Sequence, residues 1–95
     1  MVSIGRITRA IVRERRYQDQ KWGTVEEHPH TVGEWLLIVE GELEEAKQAW
    51  RKGKGDEDAL RELLQVAAVA IACLEQYHVV ERQAPSGHPL DNPTA

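Results

Sequence analysis

The sequence predicts an all-α fold, a small antiparallel bundle of three main helices completed by homo-oligomerisation. Three observations predict it. Apolar residues recur at helical spacing along three segments, each opened by a capping residue and two of them followed by glycine. From Leu63 to Leu74 only Gln65 is polar, so the last helix must be surrounded by others. Ninety-five residues make one small domain. Three helices of that size can hardly cover such a helix, which leaves a partner subunit as its cover.

The first helix is expected over residues 3–20. Ser3 is its N-cap, and Ile4, Ile7, Ala10, Ile11 and Tyr17 form a narrow apolar stripe among arginines. It should stop near Trp22-Gly23, where glycine offers a left-handed exit. Residues 23–30 then read as a loop, because Pro29 disfavours helix at His28 and the composition is polar. Two histidines flanking that proline, with no cysteine or third histidine near them, are a weak signal for a metal pair.

Thr31-Val32-Gly33-Glu34 is a capping box and opens the second helix. That helix should run to Arg51 or Lys52, with Gly53 and Gly55 ending it and the basic exit complementing the dipole. Leu36, Val39, Leu43, Ala46 and Trp50 form the expected core stripe, and Trp35, Ile38, Glu42, Glu45 and Ala49 the adjoining one. On this reading Glu42 and Glu45 are half-buried, whereas Glu40 and Glu44 are solvated. Asp56-Glu57-Asp58 opens the third helix with an N-cap and first-turn acids, and the helix runs towards Tyr77 or Val80. Its alanines allow close helix–helix approach. From Glu81 three prolines in a polar stretch mark a tail, so the chain divides into a helical domain over 1–80 and a Pro-rich tail over 81–95.

Composition narrows the function. The single cysteine, Cys73, lies in an apolar run and reads as an inert core thiol in a reducing compartment. Arginines throughout residues 1–16 fit no signal peptide, and the run from Val66 to Leu74 is too short to span a bilayer. A cytoplasmic protein without a membrane partner is the expectation. A net charge of -4 argues against binding duplex nucleic acid. The charge is uneven, however, with a basic first helix and an acidic stretch over residues 34–45. That pairing suits an anionic ligand held through a metal, and it equally suits salt bridging between neighbouring helices.

Chemistry concentrates in Glu42-Leu43-Glu44-Glu45 and Glu62-Leu63-Leu64-Gln65. In each string the outer residues are spaced i, i+3 and share one helix face. Two such helices packed antiparallel aim three carboxylates, Glu42, Glu45 and Glu62, and the Gln65 amide at one point. Carboxylates at a packed interface are costly unless a positive group sits between them. An all-oxygen set without thiolate or helically spaced histidine fits Mg²⁺, with Mn²⁺ as the substitute, better than zinc. Such a site suits attack of water on a phosphoanhydride.

Two longer strings carry a resemblance. Glu14-Arg15-Arg16-Tyr17-Gln18-Asp19-Gln20-Lys21-Trp22-Gly23 and His30-Thr31-Val32-Gly33-Glu34-Trp35-Leu36-Leu37 look like the opening of phage and bacterial MazG-like proteins. Gly41-Glu42-Leu43-Glu44-Glu45-Ala46 resembles the Glu-Glu-x-x-Glu helix of that all-α nucleoside triphosphate pyrophosphohydrolase family, and Glu62-Leu63-Leu64-Gln65 falls where the family has Glu-x-x-Asp. The resemblance covers about residues 12–76. It implies Mg²⁺-dependent cleavage of an NTP or dNTP between the α and β phosphates, in a helical homodimer or homotetramer. It also implies Glu42, Glu45 and Glu62 as catalytic metal ligands, with Gln65 beside them. Gly41 stands where the motif's first glutamate would be, and Gln65 replaces its aspartate, which weakens metal binding by one charge. Lys21 would offset phosphate charge and Trp22 would stack on a base or serve as an interface aromatic.

Two other readings compete. Glu75-Gln76-Tyr77-His78 has the Glu-x-x-His spacing of di-iron carboxylate bundles. It occurs once, however, and lies about 20 Å from Glu62 at ~1.5 Å per residue. The chain could also be a nucleotide-binding or interaction module of the same fold, its catalysis weakened through Gln65.

Overall fold

The computed structural model describes residues 1–52 and 55–83. It contains three helices and, among the described residues, no strand: α1 (Ile4–Trp22), α2 (Val32–Arg51) and α3 (Glu57–Gln76). The Pro-rich tail beyond residue 83 and the expected stop at Gly53 lie outside the described residues. No described helix is long and apolar enough to cross a membrane.

Local chemistry sets the helix ends. The Ser3 hydroxyl accepts from the Arg6 N–H, and α1 stops at Gly23, whose φ of 90° and ψ of 167° lie in a region essentially reserved for glycine. At α2 both halves of the capping box form: Thr31 Oγ1 accepts from the Glu34 N–H, and Glu34 Oε1 accepts from the Thr31 N–H at 2.8 Å. Gly55 has a φ of 86°, the left-handed conformation the turn before α3 needs. Asp56, expected to cap α3, is helical in conformation and makes no side-chain cap. Helix α3 also stops at Gln76, short of the Tyr77–Val80 end that apolar spacing suggested.

The connection 23–30 holds a turn that its polar composition concealed. Thr24 and Glu27 form a second reciprocal cap, with Glu27 Oε1 accepting from the Thr24 N–H at 2.9 Å and Thr24 Oγ1 accepting from the Glu27 N–H. Gly23 starts this turn with His28 folded over it. A Cβ at Gly23 would lie 2.5 Å from His28 Cδ2. Gly23→Ala is therefore expected to destabilise the fold by about 2 kcal/mol, read as a lower midpoint in urea unfolding.

Helix α3 packs against both α1 and α2, and α2 runs antiparallel to it, its N-terminal Trp35 meeting Gln76 and its Ala46–Trp50 end meeting Leu60. Helices α1 and α2 have no Cα pair within 8 Å of each other. They flank α3 with a gap between them. The core is correspondingly small: Trp35, Val69 and Ala72, with Val25, Ile38, Val39 and Cys73 packed on it. Ala68 and Ala72, fully covered, mark the close approach that alanine permits. The Gln76 amide ties the loop to this core. Its Oε1 accepts from Trp35 Nε1 at 2.7 Å and from the His30 N–H at 3.0 Å, while its Nε2 donates to the His30 carbonyl.

Much of the expected core stripe lies elsewhere. Leu36 and Trp50 are each 63 % exposed and Leu43 is also exposed. The face that meets α3 combines Val39 and Ala46 of that stripe with Trp35, Ile38, Glu42 and Ala49. On α1 the apolar Ile4, Ile7 and Tyr17 are exposed, and the buried residues are Arg15 and Gln18. Periodicity identifies apolar faces but does not say which has a neighbour within the same chain.

Candidate metal centre and adjoining cavity

Helices α2 and α3 bring Glu42, Glu45 and Glu62 together. One carboxylate oxygen from each lies within 4.8 Å of the other two. Glu42 and Glu62 are half-buried, and Glu42 Oε2 and Glu62 Oε2 are shielded from solvent without a hydrogen-bond partner. Glu45, expected half-buried, is exposed and forms the solvent edge of the cluster. Gln65, one turn beyond Glu62 on α3, is half-buried. Glu40 is exposed, and Glu44 pairs at the surface with Lys47 and Arg51.

Two shielded carboxylate oxygens without donors, beside a third carboxylate, form an electrostatic arrangement that a hard cation with oxygen ligands relieves. The donor set fits such an ion. The field of the cluster is visible on Glu42. Burial first, then the charges of Glu45, Glu62 and Glu14, hold its carboxyl above the ordinary value of 4.5. In the metal-free protein the folded state thus binds this proton more tightly than the unfolded chain. The resulting penalty is absent in acid and grows as pH rises from about 4.5 through the raised folded value. The melting temperature of metal-free protein should therefore carry a downward component as pH rises above about 4.5. Glu42→Gln should remove that component and raise the neutral-pH melting point by about 3 °C, as relief of a like-charge helix pair worth roughly 0.5 kcal/mol would do.

The gap between α1 and α2 is a cavity of about 430 Å³ that Glu42 joins to the acid cluster. Arg15, Gln18 and Asp19 line its α1 wall, Trp22 and Trp35 supply aromatic surface, and the turn after Gly23 closes one end. On the other side of the cluster a surface groove of about 340 Å³ runs past Glu45 and Glu62 to Lys52 and Arg61. The acids thus stand between an aromatic cavity and a groove that carries Lys52 and Arg61, the latter paired with Asp58 at 2.8 Å.

Of the residues singled out for substrate, Trp22 lines the cavity. Lys21 is exposed, with its ammonium 4.8 Å from the centre of the Trp22 ring and 5.9 Å from that of Tyr17. Arg15 was hidden among the many arginines of α1. It is buried, donating from Nε to Glu75 at 2.6 Å, from Nη1 to Gln18 at 3.1 Å and from Nη2 to Asp19 at 2.8 Å. The only sequence signal for it was Gln18 and Asp19 at i+3 and i+4. His28 and His30 line the cavity too, and His30 packs edge-on against Trp35. The Glu75–His78 pair does not share a helix face, because Glu75 is bound to Arg15 and His78 lies beyond the end of α3. No protein-family model, curated protein or solved structure matches the chain.

Proposed function

We propose that this chain is a Mg²⁺-dependent pyrophosphohydrolase that converts a nucleoside triphosphate and water into the monophosphate and pyrophosphate. The observation that carries this reading is the cluster of Glu42, Glu45 and Glu62, with two shielded and unpartnered oxygens, at the mouth of a nucleoside-sized cavity. Mg²⁺ held there would neutralise charge on the phosphate oxygens and activate water for attack at phosphorus. Glu42 and Glu62 would anchor the ion with their shielded oxygens, and Gln65, half-buried one turn beyond Glu62, would add a neutral amide oxygen. Glu45, open to solvent, orients the attacking water and accepts its proton. Lys52 and Arg61, along the groove, offset the polyphosphate charge.

In this reading the exposed apolar face of Leu36, Leu43, Trp50, Leu60 and Leu63 is covered in a homodimer or homotetramer, and the protein works in the cytoplasm. The test is incubation with Mg²⁺ and a panel of NTPs and dNTPs, with products resolved into pyrophosphate and single phosphate. Pyrophosphate is expected. Its absence with every nucleotide, together with no Mg²⁺-dependent rise in melting temperature, overturns the proposal. Mg²⁺-dependent nucleotide binding without turnover assigns the chain instead as a nucleotide-binding module, the reading that Gln65 in place of an acid favours.

A further inference from the structure

The polar wall of the cavity is organised by one guanidinium. Arg15 is buried, and two of its nitrogens hold consecutive residues of α1: Nη1 donates to Gln18 Oε1 and Nη2 to Asp19 Oδ1, while Nε anchors the group on Glu75 of α3. A planar fork fixes its acceptors side by side. Because Arg15 takes the Gln18 carbonyl oxygen, the orientation of that amide is settled, and its NH₂ is the end left over. Gln18 is only 6 % exposed and lines the cavity, and among the described residues its side chain has no hydrogen-bond partner besides Arg15. Asp19 likewise keeps a second carboxylate oxygen that Arg15 does not use. A donor and an acceptor thus stand next to each other on the wall of a cavity that otherwise offers Trp22, Trp35, Ile38 and Val69.

The amide NH₂ is left open to the cavity, where a ligand acceptor can take the place of solvent. The complement of this wall is a flat group carrying an acceptor beside an N–H along one edge, with faces that suit indole rings. That is the hydrogen-bonding edge of a nucleobase. We infer that Gln18 and Asp19 bind the base of the nucleotide, the Gln18 NH₂ donating to a base oxygen or ring nitrogen and the Asp19 carboxylate accepting from the neighbouring base N–H. Arg15 acts as a positioning residue that holds both. The inference rests on the nucleotide reading above and names the part of the molecule that grips the base.

Nucleosides separate this inference from the reaction, because they carry no phosphate and need no metal. The full chain, without Mg²⁺, is titrated with adenosine, guanosine, cytidine, uridine and thymidine. Quenching of Trp22 and Trp35 and the shift of the Gln18 side-chain NH₂ resonance in NMR are followed. At least one nucleoside is expected to saturate both signals, and ribose to move neither. Gln18→Glu keeps an acceptor for Arg15 but removes the donor, and should weaken that nucleoside at least about tenfold while the melting curve stays cooperative. Asp19→Asn, which also keeps an acceptor for Arg15, should do the same. No response to any nucleoside, an equal response to ribose, or wild-type affinity in both variants overturns the inference. Nucleoside binding lost in both variants, in a protein that releases no pyrophosphate, upholds it and overturns the pyrophosphohydrolase proposal alone.

Discussion

Glu45→Gln, and separately Glu42→Gln, is expected to cut pyrophosphate release by roughly 10³-fold or more, as the loss of several kcal/mol of transition-state charge stabilisation implies. The two should differ in the metal-free protein. Glu42 is half-buried, and its carboxyl is already pushed up by burial and by its neighbours, so an amide there relieves repulsion. Glu45 is exposed, and its replacement should leave the metal-free melting curve almost where it was. Neither variant should lose helix by circular dichroism. Glu40→Gln is the control, since Glu40 is exposed and lies outside the cluster. Turnover measured at saturating Mg²⁺ and nucleotide decides the matter. If Glu40→Gln is as inactive as Glu45→Gln, or if Glu45→Gln turns over normally, the cluster is not the reaction centre.

Gln76→Leu is expected to have the largest effect on stability, about 3 kcal/mol, seen as a fall of more than about 10 °C in melting temperature. One amide satisfies two donors, the Trp35 indole N–H and the His30 N–H, and donates to the His30 carbonyl. Leucine keeps the volume but strands both donors, and the cost of unpaired buried donors exceeds the modest net value of the bonds themselves. Tyr77, whose hydroxyl also donates to the His30 carbonyl, retains one link between the loop and α3. The loss should therefore be sharp without abolishing the fold. Because Trp35 and His30 line the cavity, nucleoside affinity should fall with stability in this variant. A melting temperature within a few degrees of wild type would show that the loop is held by other contacts.

How far the sequence alone reached can be seen residue by residue. The Thr31–Glu34 capping box, the Ser3 cap and the exit at Gly23 were legible because each is a local interaction within four residues, set by side-chain reach and backbone conformation. The three helices followed from them, and so did the position of α3 between the other two, since a near-continuous apolar run needs neighbours on more than one side. The i, i+3 spacing of Glu42 and Glu45 fixed their shared face, because that is a property of any helix. Local rules also explain the misses nearby: Thr24–Glu27 has the same capping signature but spans a single turn, too short to show periodicity.

The rest was settled only when the helices packed. That Glu62 meets Glu42 and Glu45 depends on the antiparallel register of α3 against α2, which spacing within one helix does not contain. That Trp35 and Ala46 are covered while Leu36, Leu43 and Trp50 are exposed depends on where α3 crosses the two adjoining apolar stripes. The gap between α1 and α2 makes the cavity, and long-range pairing with Glu75 turns Arg15 from one arginine among several into the buried centre of its wall. Sequence determines what lies on each face of a helix, through its period and its caps. Only the tertiary structure determines which faces meet, because that choice is made by packing between residues far apart in the chain.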